Sequence, residues 1–531
     1  MKKINFAGCL LFALALASCT GDLDQFPKNT ETSQTVYSTF EGTEEALAKI
    51  YGAYTLSGQT GPSGNPDISG LDEGSNGDFL RCYFNHQEMP TDEAHCIWND
   101  SGVSELNSIN FTSDGNFTVG LYDKCIMQVM YANEFLKNTA NAGNGFSSDQ
   151  QTQVKAFRAE ARFLRAYAYW VLLDVFGNPP FVTETSDLGT LPPQIQRADL
   201  FKYIESELLD LDKSPDMIDA RKNVYGRADK GAVDALLARL YLNAEVYTGT
   251  PRWNDAATYA EKVIKDGYSL EKNYADLFLA DNNVDNNETI LSINYDGKNT
   301  RSYGGTTFLI NCSSNADYQT KYAPTLISYG IFSNACWGGY RARKEFYEKF
   351  EAGDKRNLFV GENEAIGDHP SDYTYGMATY KWRNITSKAT VAKPLYGSDV
   401  TYADTDFPLF RLAEMYLIYA EAVVRGATTG SMGQAINYVN LLRERAFGDT
   451  KHNVSSLDLD FILDERAREL YWECQRRTDL IRYGYFTTSK YIWEWKGGVE
   501  NGRQVDSHYR LYPLPSSDVT ANMNLKQNPG Y

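Results

Sequence analysis

The sequence predicts a mainly α-helical protein in which long irregular loops are carried on a helical scaffold. In several long segments apolar residues recur at alternating steps of three and four, the period of one face of an α-helix. Two other regions, about 58–118 and 281–405, are rich in Gly and Asn and mostly lack that period. Only 289–293 has the composition of a good strand.

The composition is that of a globular protein with an acidic surface. The 531 residues are 42% apolar and 23% charged, which excludes a disordered chain. Asp and Glu number 69 against 51 Lys and Arg, giving a formal charge of −18. Nucleic acids and anionic lipid headgroups need clustered positive charge, so neither is expected as the main partner.

The first residues have the pattern of an export signal. Two lysines precede an apolar run over 6–17, which is too short to span a bilayer. The run ends in Leu-Ala-Ser-Cys, a sequence that looks like a bacterial lipobox. We therefore predict a lipoprotein signal peptide over 1–18 and acylation of Cys19; the alternative is an ordinary secretory signal.

The predicted helices follow one another along the chain and form pairs. They cover 40–56, 120–140, 149–176, 197–213, 227–247, a segment from Trp253 to Ile264, 407–425, 431–447 and 459–477. The helix over 149–176 stops at Gly-Asn-Pro-Pro. The segment 227–247 is apolar nearly all round, so it is expected between other helices. Paired with the helix at Trp253, it resembles a tetratricopeptide repeat.

Six cysteines remain after the signal peptide and Cys19. No two of them have CxxC spacing, which argues against a zinc site. Cys82 with Cys96, or Cys312 with Cys336, are candidate disulfides in an exported protein. Isolated buried thiols are an equal alternative.

An Asn/Asp-rich segment begins like a calcium loop. Asp281, Asn283 and Asp285 alternate as oxygen ligands do. The sixth position is Asn286 and the twelfth is Ser292, so the segment is no EF-hand. The two interpretations are a structural Ca²⁺ site and a solvated turn.

Six ordered motifs give the chain a specific resemblance. They are Ala159–Tyr167, Phe176–Pro180, Leu237–Leu242, Phe410–Leu417, Glu465–Leu470 and the terminal Tyr512–Pro515 with Gln527–Tyr531. In these the chain resembles the SusD/RagB family of Bacteroidetes surface lipoproteins. The resemblance implies one SusD-like domain over 19–531, no catalysis, and a TonB-dependent, SusC-like outer-membrane transporter as partner.

Local motifs in the loop regions are similar to the starch-binding founder of that family, which also holds a calcium ion in a similar acidic loop. The residues that this similarity assigns to glycan binding are Trp98, Tyr303, Trp337, Arg81, Asp72, Asn99 and Ser101. It implies that the three aromatic rings form a shallow arc against a starch helix and that the polar groups bond sugar hydroxyls. Cys96 stands where the founder has a second Trp, and Ser101 where it has an amide, with Asn99 nearby.

The predicted function is therefore capture of starch or maltooligosaccharides at the cell surface by an outer-membrane lipoprotein. Three alternatives stay open: the same role for a different glycan, a surface glycoside hydrolase, and a helical-repeat scaffold for proteins only. A hydrolase needs two carboxylates across a cleft, and 69 acidic residues make chance pairs plentiful. Neither GxxxxGK[ST] nor GxSxG occurs in the sequence.

Overall fold

The computed structural model describes residues 33–62, 66–141, 145–187, 189–313, 315–322, 336–363, 366, 375–390 and 392–531. The predicted signal peptide over 1–18 and Cys19 lie outside these residues, so both stay predictions. Within the described part no helix is long and apolar enough to cross a membrane.

Helices form most of the regular structure, as the sequence predicts. They are α1 Ser33–Val36, α2 Phe40–Thr55, α3 Phe79–Glu88, α4 Val103–Ser108, α5 Asn116–Asn138, α6 Ser148–Val175, α7 Arg197–Lys213, α8 Lys230–Leu242, α9 Ala244–Thr248, α10 Trp253–Lys265, α11 Gly305–Asn311, α12 Ala316–Tyr322, α13 Lys344–Tyr347, α14 Leu412–Val424, α15 Met432–Phe447, α16 Leu459–Leu470, α17 Arg476–Arg482 and α18 Ser516–Ala521.

The described strands are short and form three antiparallel pairs. They are β1 His95–Cys96, β2 Thr289–Ile293, β3 Tyr340–Arg341, β4 Phe359–Gly361, β5 Met377–Thr379 and β6 Phe407–Arg411. β1 pairs with β3, β2 with β6, and β4 with β5. The predicted strand over 289–293 is confirmed as β2.

The helix pairs pack as the periodicity predicts. α5 packs against α6, and α10 lies between α8 and α14. In α8 every residue from Gly231 to Leu242 is buried, which explains why its sequence is apolar nearly all round. A capping box between Ser147 and Gln150 starts α6, and its last residue precedes Phe176 and Gly177. These pairs form the scaffold.

Two predicted helices differ in the structure. The segment 407–425 begins as strand β6, because Arg411 is still extended at φ −143° and ψ 157°, and the helix starts only at Leu412. In this strand Pro408 lies opposite Ser292 of β2. The helix over 459–477 ends at Leu470, since Trp472 and Cys474 have left-handed φ values of 58° and 63°.

The loop region 58–118 is less irregular than predicted. It contains α3, in which all ten residues are buried. Polar side chains such as Asn85, His86 and Gln87 are buried there beside the apolar ones, so the helix has no apolar face that periodicity would reveal. In the region 281–405, helices α11 and α12 were likewise not predicted from the sequence.

The buried apolar side chains form one continuous cluster that extends from Leu47 to Leu514. Among the buried residues are the cysteines at 82, 96, 125, 312 and 474, which are free thiols. For these five the structure supports the alternative of buried thiols over that of disulfides. The loop regions lie on this rigid body and can therefore hold a preformed surface site.

Candidate functional site

The seven residues that the sequence assigns to glycan binding come together in one open cavity of about 680 Å³. They line it with Gly74, Ser75, Asn76, Asp100 and Asn116. We call this the aromatic cavity. Its residues come from the two loop regions, so the structure unites segments that are more than two hundred residues apart in sequence.

The Trp98 ring is held half-exposed at the cavity. It follows β1, whose Cys96 pairs with Tyr340 of β3, and the Ile97 N–H donates to the Gly339 carbonyl at 3.0 Å. The ring of Tyr340 meets it edge-on with centroids 5.3 Å apart. A Cβ at position 339 would lie 2.1 Å from Trp98 Nε1, and φ there is +106°, so only glycine allows this approach.

Tyr303 and Trp337 present the other two rings. The Trp337 N–H donates to the Asn311 carbonyl at 2.8 Å, which ties its loop to the end of α11. The ring centroids of Tyr303 and Trp337 are 6.3 Å apart and the planes are inclined by 59°. Tyr402 supports Tyr303 from behind at 5.4 Å. Burial and a hydrogen bond to Tyr303 raise the pKa of Tyr402. The two rings are therefore fixed at an angle to each other.

Arg81 lies among aromatic rings at the base of the cavity. Its guanidinium carbon is 4.6 Å from the Phe308 ring centroid and 5.6 Å from that of Trp98, and only 7% of the residue is exposed. One Nη donates to the Gly74 carbonyl. Its Nε is buried without a hydrogen-bond partner among the described residues. A buried donor without a partner is costly, so this group is suited to a ligand or an ordered water.

Asp78 connects the Arg81 side of the cavity with the Tyr303 side. Its carboxylate caps α3 by accepting from the Arg81 N–H at 2.9 Å. The same carboxylate accepts from the Ser302 hydroxyl at 2.8 Å and from the Gly305 N–H at 3.0 Å. Asp78 is fully buried, and these contacts fix the relative positions of Arg81 and Tyr303.

The remaining predicted side chains lie at the exposed rim. Asp72 accepts from the Gly74 N–H at 2.9 Å and makes no ion pair with Arg81. Asn99 and Ser101 are exposed beside Trp98. Cys96 is buried in β1 and adds nothing to the surface, which leaves a platform of three rings.

Five residues that line the cavity were not assigned from the sequence: Gly74, Ser75, Asn76, Asp100 and Asn116. Asp100 follows Asn99 on the exposed rim, and its position next to a predicted residue was the available signal. Asn116 begins α5, and its carbonyl accepts from Asn76 Nδ2 at 3.1 Å. No motif in the sequence marks that contact.

A more apolar cavity of about 370 Å³ lies elsewhere, between α2, α6 and β2. Its walls are mainly scaffold side chains such as Leu47, Phe163 and Leu291. A polyhydroxylated ligand needs polar groups around an aromatic face, and the aromatic cavity offers these where this one offers few. The aromatic cavity is therefore the candidate site.

The acidic segment at Asp281 has contacts of its own. Both Asp281 oxygens accept from Ser387, one from its N–H and one from its hydroxyl, each at 2.8 Å. Asn283 and Asp285 are exposed. No group of three or more His, Cys, Asp or Glu suited to a metal occurs in the described ranges. Each Asp281 oxygen keeps a further lone pair beside its bond to Ser387. Calcium here stays a prediction.

Comparison with known proteins identifies relatives over the whole chain. A family model described as "Starch-binding associating with outer membrane" matches residues 74–242, and the model of the SusD family matches 351–531. The starch-binding protein SusD of Bacteroides thetaiotaomicron is 37% identical over 574 aligned residues, covering 100% of this chain and 99% of that protein. A SusD-like protein of Bacteroides ovatus is 25% identical over 510 residues, covering 90% and 82%.

Solved structures share the fold. Surface glycan-binding protein A from Bacteroides fluxus superposes with a TM-score of 0.70 at 22% identity, covering 93% of this chain and 100% of that one. Surface glycan-binding protein A from Bacteroides thetaiotaomicron in complex with laminarihexaose gives a TM-score of 0.67 at 20% identity, covering 92% and 99%. At such identities these likenesses carry the fold alone.

Proposed function

Because this chain belongs to the SusD family of non-catalytic glycan-binding proteins, we propose that it captures starch or maltooligosaccharides at the bacterial surface. We further propose that it delivers them to a TonB-dependent, SusC-like outer-membrane transporter. Binding occurs in the aromatic cavity, and the glycan leaves it with its bonds intact. Trp98, Tyr303 and Trp337 contact the sugar faces, while Arg81, Asp72, Asn99 and Ser101 bond the hydroxyls.

The chemistry of the cavity matches a sugar chain. A hexose has a face of C–H groups that packs on an aromatic ring and a rim of hydroxyls that needs directional polar partners. Trp98 is half-exposed for the first task, and the guanidinium of Arg81, which lines the cavity beside it, serves the second. Hydrogen bonds from a charged donor are about twice as strong as neutral ones, so Arg81 contributes most to the bonding of the sugar hydroxyls.

One observation favours a coiled glucan. The planes of Tyr303 and Trp337 are inclined by 59° with centroids 6.3 Å apart. A chain that lies on both rings must therefore curve, as α-1,4-linked glucans do and flat β-1,4-linked chains do not. The full-length relative at 37% identity is named as starch-binding, whereas the laminarin complex has only 20% identity. Starch is therefore the first candidate, and a curved β-1,3-glucan the second.

The anchor and the partner rest on other evidence. Several acyl chains on Cys19 would hold the protein stably on the membrane, where one chain would not. One matching family model is described as associating with the outer membrane. Replacing Cys19 by Ala should release the protein from the membrane fraction, and crosslinking on intact cells should recover a large barrel transporter with the unmodified protein.

Titration calorimetry with the lipid-free protein tests the glycan. Maltoheptaose and pullulan should bind, and cello-oligosaccharides should not. Tighter binding of laminarin oligosaccharides than of maltoheptaose would replace starch with the second candidate. Reducing sugar released from starch by the pure protein would contradict binding without cleavage.

A further inference from the structure

A second polar cavity, of about 520 Å³, lies at the other end of the short helix that borders the aromatic cavity. Ser101, which lines the aromatic cavity, precedes α4, and Ser108, the last residue of α4, lines this second cavity. Across it lies the segment 497–509. We call it the Tyr509 cavity.

The Tyr509 cavity repeats the side-chain types of the aromatic cavity. Both contain an aromatic ring, an arginine, an aspartate, an asparagine and a serine. In the Tyr509 cavity they are Tyr509, Arg503, Asp506, Asn110 and Ser108. This set presents an apolar face with donors and acceptors around it, which is what a sugar ring requires.

The Tyr509 ring is rigidly supported. Phe111 meets it edge-on at 5.5 Å, and His508 packs against it at 3.9 Å. Its hydroxyl donates to Asn110 Oδ1 at 3.0 Å. That bond orients the Asn110 amide, whose Nδ2 donates to no described residue and lies exposed. A fixed ring loses little conformational freedom when a ligand covers it.

Arg503 and Asp506 supply charged groups at the rim. Arg503 Nε donates to the Gly497 carbonyl at 3.0 Å, which holds the exposed side chain along the turn and leaves its Nη groups outward. One Asp506 oxygen accepts from the His508 N–H at 3.0 Å and from its Nδ1 at 2.8 Å. Both residues keep polar atoms for a ligand, and their bonds to it would be charge-assisted.

An exposed polar face joins the two cavities. Ser101 and Ser104 are exposed, and Ser108 follows Ser104 by four residues, so the last two share one face of α4. The six residues of α4 rise only about 9 Å, a span that an oligosaccharide covers. From this we infer that the Tyr509 cavity is a subsite for the same glucan chain, engaged when the chain extends beyond the aromatic cavity along α4. The inference rests on the proposed function.

Binding of short and long glucans separates the two sites. Calorimetry is performed with maltotriose and with a long maltodextrin on the wild type, Arg503→Ala and Tyr509→Ala. Each variant should lose about 3- to 10-fold in affinity for the long glucan and keep its affinity for maltotriose. Arg503 is exposed, so its variant should fold normally even if Tyr509→Ala does not. Arg510→Ala is the matched control, because it removes an exposed arginine of the same segment that does not line the cavity.

The outcomes are distinguishable. Unchanged long-chain affinity in Arg503→Ala, with wild-type binding intact, would overturn the subsite and leave the proposed function standing. Equal losses for both glucans, or an equal loss in Arg510→Ala, would also overturn it, since the effect would then be general. A wild type that binds neither glucan would overturn the proposed function and the subsite with it.

Discussion

The guanidinium carbon of Arg81 lies 5.6 Å from the centroid of the Trp98 ring, so the charge beneath the cavity and its most prominent aromatic face are in direct contact. The ring centroid of Phe308 lies 4.6 Å from the same carbon. Among the residues that the structure describes, Arg81 has no carboxylate ion-pair partner, and the aromatic rings hold its guanidinium in place. Its buried Nε has no hydrogen-bond partner among them either.

Removing the Trp98 ring should weaken glucan binding strongly. We expect Trp98→Ala to lower the affinity for maltoheptaose by about 10- to 30-fold, roughly 1.4–2 kcal/mol, because aromatic anchors dominate such interfaces. Titration calorimetry measures the change. Trp253→Ala is the control, since Trp253 is also half-buried but lies outside the cavity. Equal affinities for the wild type and Trp98→Ala would remove Trp98 from the site.

Arg81 should act through its guanidinium and not through its charge alone. Arg81→Lys keeps the charge but loses the planar fork, so we expect about a tenfold loss of affinity, similar to that of Arg81→Met. Calorimetry with maltoheptaose compares the two variants. Arg510→Met, which alters an exposed arginine outside the cavity, should bind normally. Wild-type affinity in Arg81→Lys would mean that a point charge at this position is enough for binding.

Asp78 should matter for folding and binding together. Asp78→Ala removes the cap of α3 and the contacts to Ser302 and Gly305, so we expect the free energy of unfolding to fall by about 2–4 kcal/mol. Affinity should fall as well, because Tyr303 loses its fixed position. Urea unfolding and calorimetry measure the two effects.

Asp458→Ala provides the comparison for Asp78. Asp458 caps α16 by accepting from the Phe461 N–H at 2.8 Å, far from the cavity. Its loss should cost about 1 kcal/mol and leave affinity unchanged. A variant Asp78→Ala that is destabilised yet binds normally would show that the cap alone matters.

Glu93 should make stability depend on pH. Burial, opposed in part by Arg476 and reinforced by Asp92, raises the pKa of Glu93 to about 7 from its ordinary 4.5. A raised pKa means that the folded state holds the proton more tightly, so this stabilisation is complete below pH 4.5 and is lost between 4.5 and about 7. Above pH 7 Glu93 is ionised in the folded state, and its burial lowers the free energy of unfolding by an amount that no longer changes with pH.

Glu93→Gln tests that contribution, and it also removes the neighbouring charge that helps to raise the pKa of the buried Glu88. The variant stays neutral, so its stability relative to the wild type should rise by about 1–3 kcal/mol between acidic and neutral pH. Urea unfolding at a series of pH values measures the difference in stability between the variant and the wild type. Carboxylates whose pKa is lowered, such as Glu421 with a pKa of about 2, are present in both proteins, so their contributions cancel. A difference that does not vary with pH would contradict the prediction.

The sequence predicted the long scaffold helices well because their periodicity is strong and their ends are marked. α6 differs by one residue at each end from the predicted 149–176, and α7 matches 197–213. α3 escaped because polar side chains are buried there beside apolar ones, so its sequence shows no apolar face. β6 escaped because its apolar run continues directly into α14.

The cavity residues were predicted from local motifs, and the structure brings them together. What the motifs did not contain is the support beneath them. In the sequence Asp78 looks like an ordinary polar loop residue. In the structure it is buried and joins two distant segments. Asn116 contributes through a backbone carbonyl, which no side-chain pattern encodes. Long-range contacts of this kind arise only from the tertiary structure.

The bond between Asp78 and Ser302 joins residues 224 positions apart, and β1 meets β3 over a similar distance. The aromatic cavity therefore does not exist on an N-terminal fragment or on an unfolded chain. It is completed only when the second half of the polypeptide has folded against the first. A truncated chain that keeps the cavity residues from Asp72 to Ser101 but lacks those from Ser302 to Arg341 would therefore lack the assembled cavity.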